Sequence, residues 1–301
     1  MRNSFKTVAT GLDLDSYPMK LWAKAKKYGI WNPADIDFTQ DKKDWANLKP
    51  LEKLFIARIV TQFQAGEEAV TLDLLPLIMA IAKEGRIEEE IFLTSFLWEE
   101  AKHTEGFTRI INEVIGEAVF TKAKKDALVP AYQTIFYEVL PETMNKLITD
   151  PSPENMARAS VTYNMIIEGV LAETGYLAFH QTLSANNIMP GMTEFTAKLK
   201  QDESRHIAYG IFLLSRLISE NGPSVWNAVQ DQMQKMMVLA VAQVQQGDDL
   251  YDDDNLPFGI PKGAFVAYAQ DQFQKRFARI ERARHQTLVE IEEEAMSEAA
   301  V

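Results

Sequence analysis

The stretch Glu99-Glu100-Ala101-Lys102-His103-Thr104-Glu105-Gly106-Phe107, with Leu93, Phe96 and Leu97 ahead of it, decides how this chain is read. It contains no proline, and its apolar residues recur at intervals of three and four, the spacing of one face of an α-helix. Glu100 and His103 are three residues apart, so a helix brings one carboxylate and one imidazole to the same point. The spacing recurs in Asp202-Glu203-Ser204-Arg205-His206. The two remaining histidines, His180 and His285, match no such pattern and read as structural or solvated.

Working outward, each motif is preceded by a helix that carries another glutamate: Glu67 lies 33 residues before Glu100, and Glu168 lies 35 before Glu203. Helical phase separates the adjacent pair Glu67 and Glu68. Ile56, Val60, Phe63, Val70 and Leu74 share the face of Glu67, whereas Thr61, Gln64 and Thr71 accompany Glu68. The same test favours Glu100 over Glu99. A carboxylate on an apolar face is costly to bury unless it is paired or binds a metal. The repeated pattern of a helix with Glu followed by a helix with Glu-x-x-His supplies four carboxylates and two imidazoles, the donor set of a dinuclear site in a helical bundle. The runs Glu88–Glu90 and Glu292–Glu294 read as solvated helix faces.

The rest of the chain supports such a bundle. Fourteen glycines and twelve prolines punctuate long segments of good helix formers. Helices are expected at about Ser16–Tyr28, Pro50–Glu84, Ile87–Ile115, Ala118–Leu128, Ala131–Thr149, Pro153–Ser184, Met192–Glu220, Ser224–Gln246 and Lys262–Ala299, with Ser152 as a cap and kinks at Pro76 and Pro141. The fold class is all-α: a four-helix core with additional long helices. The expected organisation is one domain over residues 1–301, its core at about 50–220 and accessory helices at 224–299, separated by the acidic loop Gly247–Pro261.

Composition narrows the function. With 43 acidic against 31 basic residues the net charge is −12, which repels nucleic acid and anionic bilayers, and no Lys/Arg cluster, Lys122–Lys125 included, offsets it. The chain has no cysteine, so disulfides, thiolate ligands and thiol nucleophiles are excluded, and any metal is held by carboxylates and imidazoles. Counting Pro as a break, the longest uninterrupted apolar run, Met236–Ala242, is far short of the roughly 20 residues of a membrane-spanning helix. The opening residues lack an apolar signal region, and a cytoplasmic location is expected.

At these residues the chain resembles the small-subunit superfamily of ribonucleotide reductase, which is ferritin-like, and within it the ligand-binding oxidases that share the fold without acting in nucleotide reduction. The resemblance runs from about Trp31 to about Ser215. It implies one metal site at Glu67, Glu100 and His103 and another at Glu168, Glu203 and His206. It also implies a mixed Mn/Fe centre with Mn in the first site, di-iron being the alternative, and a long-chain fatty acid whose carboxylate reaches the metals. Two features favour the oxidase branch. Phe107 stands where radical-storing reductase subunits typically carry a tyrosine, and Val70 and Tyr163 match the valine and tyrosine that the oxidases join as an ether. An electron path through Trp31, Asp202 and His103 is implied as well, and a homodimer is the expected assembly. The activity so implied is a dioxygen-dependent, two-electron C–H oxidation. Three alternatives stand beside it. A reductase radical-generating subunit needs a docking tail with an aromatic relay residue, which Ser297-Glu298-Ala299-Ala300-Val301 lacks. A ferritin-like metal store would need less chain, and a metal-free helical scaffold would show no metal on elemental analysis.

Overall fold

The computed structural model describes residues 4–252 and 256–299. These form helices and turns, with one isolated bridge between Leu256 and Ile260. After α1 (Tyr17–Tyr28) come α2 (Pro50–Asp73), α3 (Leu75–Glu84) and α4 (Ile87–Ile110). Helix α5 starts at Pro153–Ser160 and continues through a π-helical stretch, Val161–Ala172, into Glu173–Thr182. Then follow α6 (Pro190–Asn221), α7 (Pro223–Asp248), α8 (Ala264–Glu281) and α9 (Leu288–Ala299). Proline opens α2, α5, α6 and α7, where its missing N–H costs no hydrogen bond and its fixed φ suits the first turn.

Helix α2 packs on α4, and the π stretch of α5 packs on α6, so the four motif-bearing helices face one another. Helices α7 and α8 cover the π stretch from outside, while α1 lies on α4 and α6. The π stretch is buried along nearly its whole length, from Val161 to Leu171, as its almost continuous apolar sequence demands. Its geometry has a consequence for the site. In an α-helix, residues five apart point roughly 140° from one another, but a π turn brings i and i+5 into register, so Tyr163 and Glu168 approach the same side.

The helical segments deviate from expectation where local signals were overridden. The kink at Pro76 is a break at Leu74 between α2 and α3, and the backbone ahead of Pro141 is π-helical over Thr134–Val139. Ser152 is the cap residue of α5, yet its side chain makes no capping bond. The segment expected as one helix over 262–299 divides: after a turn at Arg282–His285, the Thr287 hydroxyl accepts from the Glu290 N–H while the Glu290 carboxylate accepts from the Thr287 N–H at 2.7 Å. That reciprocal capping box starts a new helix. The helix expected at 118–128 ends at Ala123. Glu88 and Glu89, expected in solvent, are buried. Glu88 accepts from Lys6 Nζ at 2.6 Å and from the Asp13 N–H at 3.2 Å, and Glu89 accepts from the Tyr209 hydroxyl at 2.9 Å beside Arg216. Among the described residues, no helix is long and apolar enough to cross a membrane.

Candidate metal centre

Helix α2 presents Glu67, α4 presents Glu100 and His103, the π stretch presents Glu168, and α6 presents Glu203 and His206; all six are buried. Glu68, one residue from Glu67, is exposed as its phase requires. The ring Nδ1 of His103 lies 3.4 Å from Glu67, 3.5 Å from Glu100 and 3.5 Å from Glu203. The Nδ1 of His206 lies 3.3 Å from Glu100, 3.5 Å from Glu168 and 3.4 Å from Glu203. Two overlapping groups result, Glu67–Glu100–His103–Glu203 and Glu100–Glu168–Glu203–His206, in each of which one donor atom per residue falls within 4.8 Å of the rest. Glu100 and Glu203 belong to both, so Glu203, expected only beside His206, lies between the two histidines.

Whether these residues suit metal ions can be judged from their unused atoms. Glu100 Oε2, His103 Nδ1, Glu168 Oε1, Glu203 Oε2 and His206 Nδ1 are buried without a hydrogen-bond partner. Five orphaned polar atoms facing one gap cost several kcal/mol in a protein interior, on the order of 1–3 each, unless cations occupy that gap. The set is all oxygen and nitrogen, suited to divalent Mn and Fe.

The far nitrogens are fixed by a surrounding hydrogen-bond network. His103 Nε2 lies 3.3 Å from Asp202 Oδ2, which also accepts from Trp31 Nε1 at 2.9 Å and from Lys102 Nζ at 3.2 Å. His206 Nε2 lies 2.9 Å from Glu99 Oε2, while Glu99 Oε1 accepts from Arg205 Nη2 at 2.6 Å. Arg205 Nη2 also bonds Asp202, joining the two halves. Such partners hold the ring and tautomer of a metal-binding histidine. Glu99 therefore departs from the helical-phase argument: it is fully buried, because its partners His206 and Arg205 come from α6. Its signal lay in the Glu99-Glu100 pair itself, but the partners are more than a hundred residues away. Asn164 was also missed. Its Nδ2 donates to Glu168 Oε2 at 3.0 Å, a link that the spacing of four residues could have flagged.

Burial pushes Glu67 up to about 8, with His103 opposing, and raises Glu168, helped by the charge of Glu203. Against burial, the imidazoles of His103 and His206 beside it hold Glu100 well below the usual carboxylate range. Burial likewise opposes the charge on both imidazoles, yet the carboxylates around them hold both well above their ordinary range. Without metal, then, the site stores protons where ions would place positive charge.

Tyr163, fully buried, directs its hydroxyl to the Val70 carbonyl at 3.2 Å and to Glu100 Oε1 at 3.3 Å. Phe96 meets Tyr163 edge-on and stacks on His206 with 3.6 Å between centroids. Trp31 lies parallel to His103 at 6.3 Å, so Trp31, Asp202 and His103 are contiguous. Phe107 is buried between Phe63 and Phe195 and offers no hydroxyl there. His180 and His285 are exposed and away from the site.

A cavity of about 150 Å³ reaches Glu67, Glu100, Glu168 and Glu203 and has Val70, Phe136, Ile167 and Leu171 in its walls. It extends to Arg58, nine residues before Glu67 on α2, which is about 13 Å along a helix rising 1.5 Å per residue.

A helical bundle that brings two overlapping Glu/His groups to its centre has the architecture of carboxylate-bridged dinuclear proteins. The chain belongs to the ribonucleotide reductase small chain family, whose model matches residues 16–281, and within it to the ligand-binding oxidase type, as its likeness to solved structures shows. An R2-like ligand-binding oxidase from Sulfolobus acidocaldarius, solved by 3D micro-crystal electron diffraction, is 40% identical over 97% of this chain and 99% of that one, with a TM-score of 0.85. An R2-like ligand-binding oxidase with an aerobically reconstituted Mn/Fe cofactor is 38% identical over 94% of this chain and 99% of that one, with a TM-score of 0.85. A variant with a tyrosine replaced by phenylalanine, also aerobically reconstituted with Mn/Fe, is 38% identical over 94% of this chain and all of that one, with a TM-score of 0.83.

Proposed function

We propose that this protein is a dioxygen-dependent oxidase that holds an Mn/Fe pair and binds a long-chain fatty acid or a similar apolar acid in the cavity beside it. The observation that carries this reading is the set of five orphaned donor atoms around one gap, next to a cavity with apolar walls that ends at the same carboxylates. Glu67 and His103 would hold Mn, Glu168 and His206 would hold Fe, and Glu100 and Glu203, which belong to both groups of ligands, would be available to either ion. When bound, the metal pair supplies the redox capacity to reduce dioxygen and oxidise a strong C–H bond.

The chain supplies position and exclusion. Asp202 and Glu99 aim the Nδ1 lone pairs of His103 and His206 into the gap, and Phe96 packs against His206 from one side. The cavity admits an apolar chain whose acidic head can reach the gap, where the two positive ions would receive it. An ether between Tyr163 Oη and Val70 Cβ is supported by the approach of the Tyr163 hydroxyl to the Val70 backbone, 3.2 Å from its carbonyl oxygen. Forming that C–O bond breaks the O–H and C–H bonds and releases two protons and two electrons, the electrons passing to dioxygen. Burial pushes the Tyr163 phenol well above its ordinary range, so it keeps its proton until that oxidation.

The test is a peptide map of protein assembled with Mn(II), Fe(II) and air, together with mass spectrometry of an organic extract. A joined peptide pair containing Val70 and Tyr163, two hydrogens lighter than its sum, and a co-purified long-chain acid are expected. Separate peptides after aerobic assembly of a verified Mn/Fe centre would sink the ether, and recovery of no apolar acid would sink the ligand assignment.

A further inference from the structure

The cavity that reaches the metal centre has a volume of about 150 Å³, below the roughly 300–1,000 Å³ of pockets that enclose small organic molecules. A long-chain acid therefore enters only where part of the wall gives way. The inner wall is poorly placed to do so, because Val70, Ile167 and Leu171 are buried helix residues and the carboxylates of the metal centre close that end. The outer end is different. Arg58 of α2 lines it together with Tyr251 from the turn after α7, and Gly247 and Leu250 beside them are partly exposed. Asp126 is not among the lining residues and grips Arg58 from outside, its carboxylate accepting from Nε at 2.8 Å and from Nη2 at 2.5 Å. The Asp126 side chain is 42% exposed, against 11% for Arg58. The guanidinium also lies over the Tyr251 ring, 5.1 Å from its centroid, and that ring packs edge-on against Phe55, another residue of the cavity wall. One long, flexible side chain thus bridges α2 and the turn after α7 where the cavity nears solvent, and it is pinned by a single carboxylate on a surface loop.

We propose that the Arg58–Asp126 ion pair is the latch of this cavity, setting how fast an apolar acid enters and leaves rather than how tightly it is held. The inference rests on the ligand-binding reading above. An ion pair that touches solvent is weak enough to open often, whereas displacing the packed helices of the inner wall would disrupt the core. While closed, the latch keeps Arg58 and Tyr251 across the outer end and helps to separate the metal centre from bulk water, the usual service of a lid.

The test is stopped-flow fluorescence with cis-parinaric acid, a fluorescent fatty acid, on metal-loaded protein stripped of bound lipid, with dissociation followed by displacement with excess oleate. Asp126→Ala should raise both the association and the dissociation rate by about fivefold, the upper end for a solvent-touching ion pair, with the Kd and the metal content nearly unchanged. Arg58→Met removes the other half of the pair and should act in the same direction, so a folding defect in one variant does not decide the outcome. Asp271→Asn, which breaks an exposed pair with Lys275 on α8, should change neither rate. A rise in association alone would show that Asp126 merely repels the incoming carboxylate and would overturn the latch. Saturable binding at rates that Asp126→Ala and Arg58→Met leave unchanged would overturn it too, with the ligand reading intact; absence of saturable binding to every form would overturn the ligand reading and the latch with it.

Discussion

Exchange of Glu99 for Gln separates the network around the site from the site itself. Glu99 uses both oxygens: Oε1 accepts from Arg205 Nη2 at 2.6 Å and Oε2 meets His206 Nε2 at 2.9 Å. An amide has a single acceptor oxygen. If that oxygen keeps the stronger bond to Arg205, the NH2 faces His206 and is satisfied only when Nε2 accepts, which moves the ring proton to Nδ1, the nitrogen that points at Glu100, Glu168 and Glu203. Metal binding on the His206 side then has to reverse that tautomer. Loss of a hydrogen-bond partner to a metal-binding histidine lowers affinity by about 10- to 100-fold, or about 1.4–2.7 kcal/mol. Arg205 retains Asp202, so the fold should survive. The assay is competition for Mn(II) and Fe(II) against a chromophoric chelator, with thermal melting of the metal-free protein as the stability control and Glu68→Gln as the exposed comparison. Unchanged affinity in a folded Glu99→Gln protein would refute the argument that Glu99 orients His206.

Other perturbations test other parts of the account. Glu100→Ala should abolish binding of both ions rather than one, since Glu100 belongs to both groups; elemental analysis showing one ion per chain retained would contradict its shared placement. Metal loading at pH 7 should release protons, because His103, His206, Glu67 and Glu168 are all raised above their ordinary ranges in the metal-free site. Protons then compete with metal, in the case of Glu67 below about 8, so affinity should fall as the pH drops and the share of the release that comes from Glu67 should shrink as the pH rises past that point; calorimetry in buffers of different ionisation enthalpy reads both. Gly106→Ala should lower the melting temperature, since its Cβ would lie 2.1 Å from the Phe195 ring and overpacking of about 1–3 kcal/mol exceeds the gain in helix propensity. Gly247→Ala, with nothing within 4 Å, should instead raise it.

The metal-capable residues were legible because they obey local rules: two Glu-x-x-His spacings and one clean contrast of faces, Glu67 against Glu68. What failed to show depended on distant partners. Glu99, Glu88 and Glu89 look solvated in isolation and are buried because His206, Arg205, Lys6 and Tyr209 come to them from far along the chain. The π stretch at Val161–Ala172 left no trace, since a segment buried on all sides shows no amphipathic periodicity to measure. The break between α8 and α9 was readable in Thr287-x-x-Glu290, but the helix formers on both sides hid it. The cavity was not legible, because it is made of residues from several helices.

Diffraction with anomalous scattering at the Mn and Fe edges from crystals of aerobically assembled protein tests the central claim most directly. The account predicts two peaks about 3.5–4 Å apart, the Mn peak within reach of Glu67 and His103, the Fe peak within reach of Glu168 and His206, and Glu100 and Glu203 touching both. A single peak, no peak, or two peaks outside these six residues would contradict it.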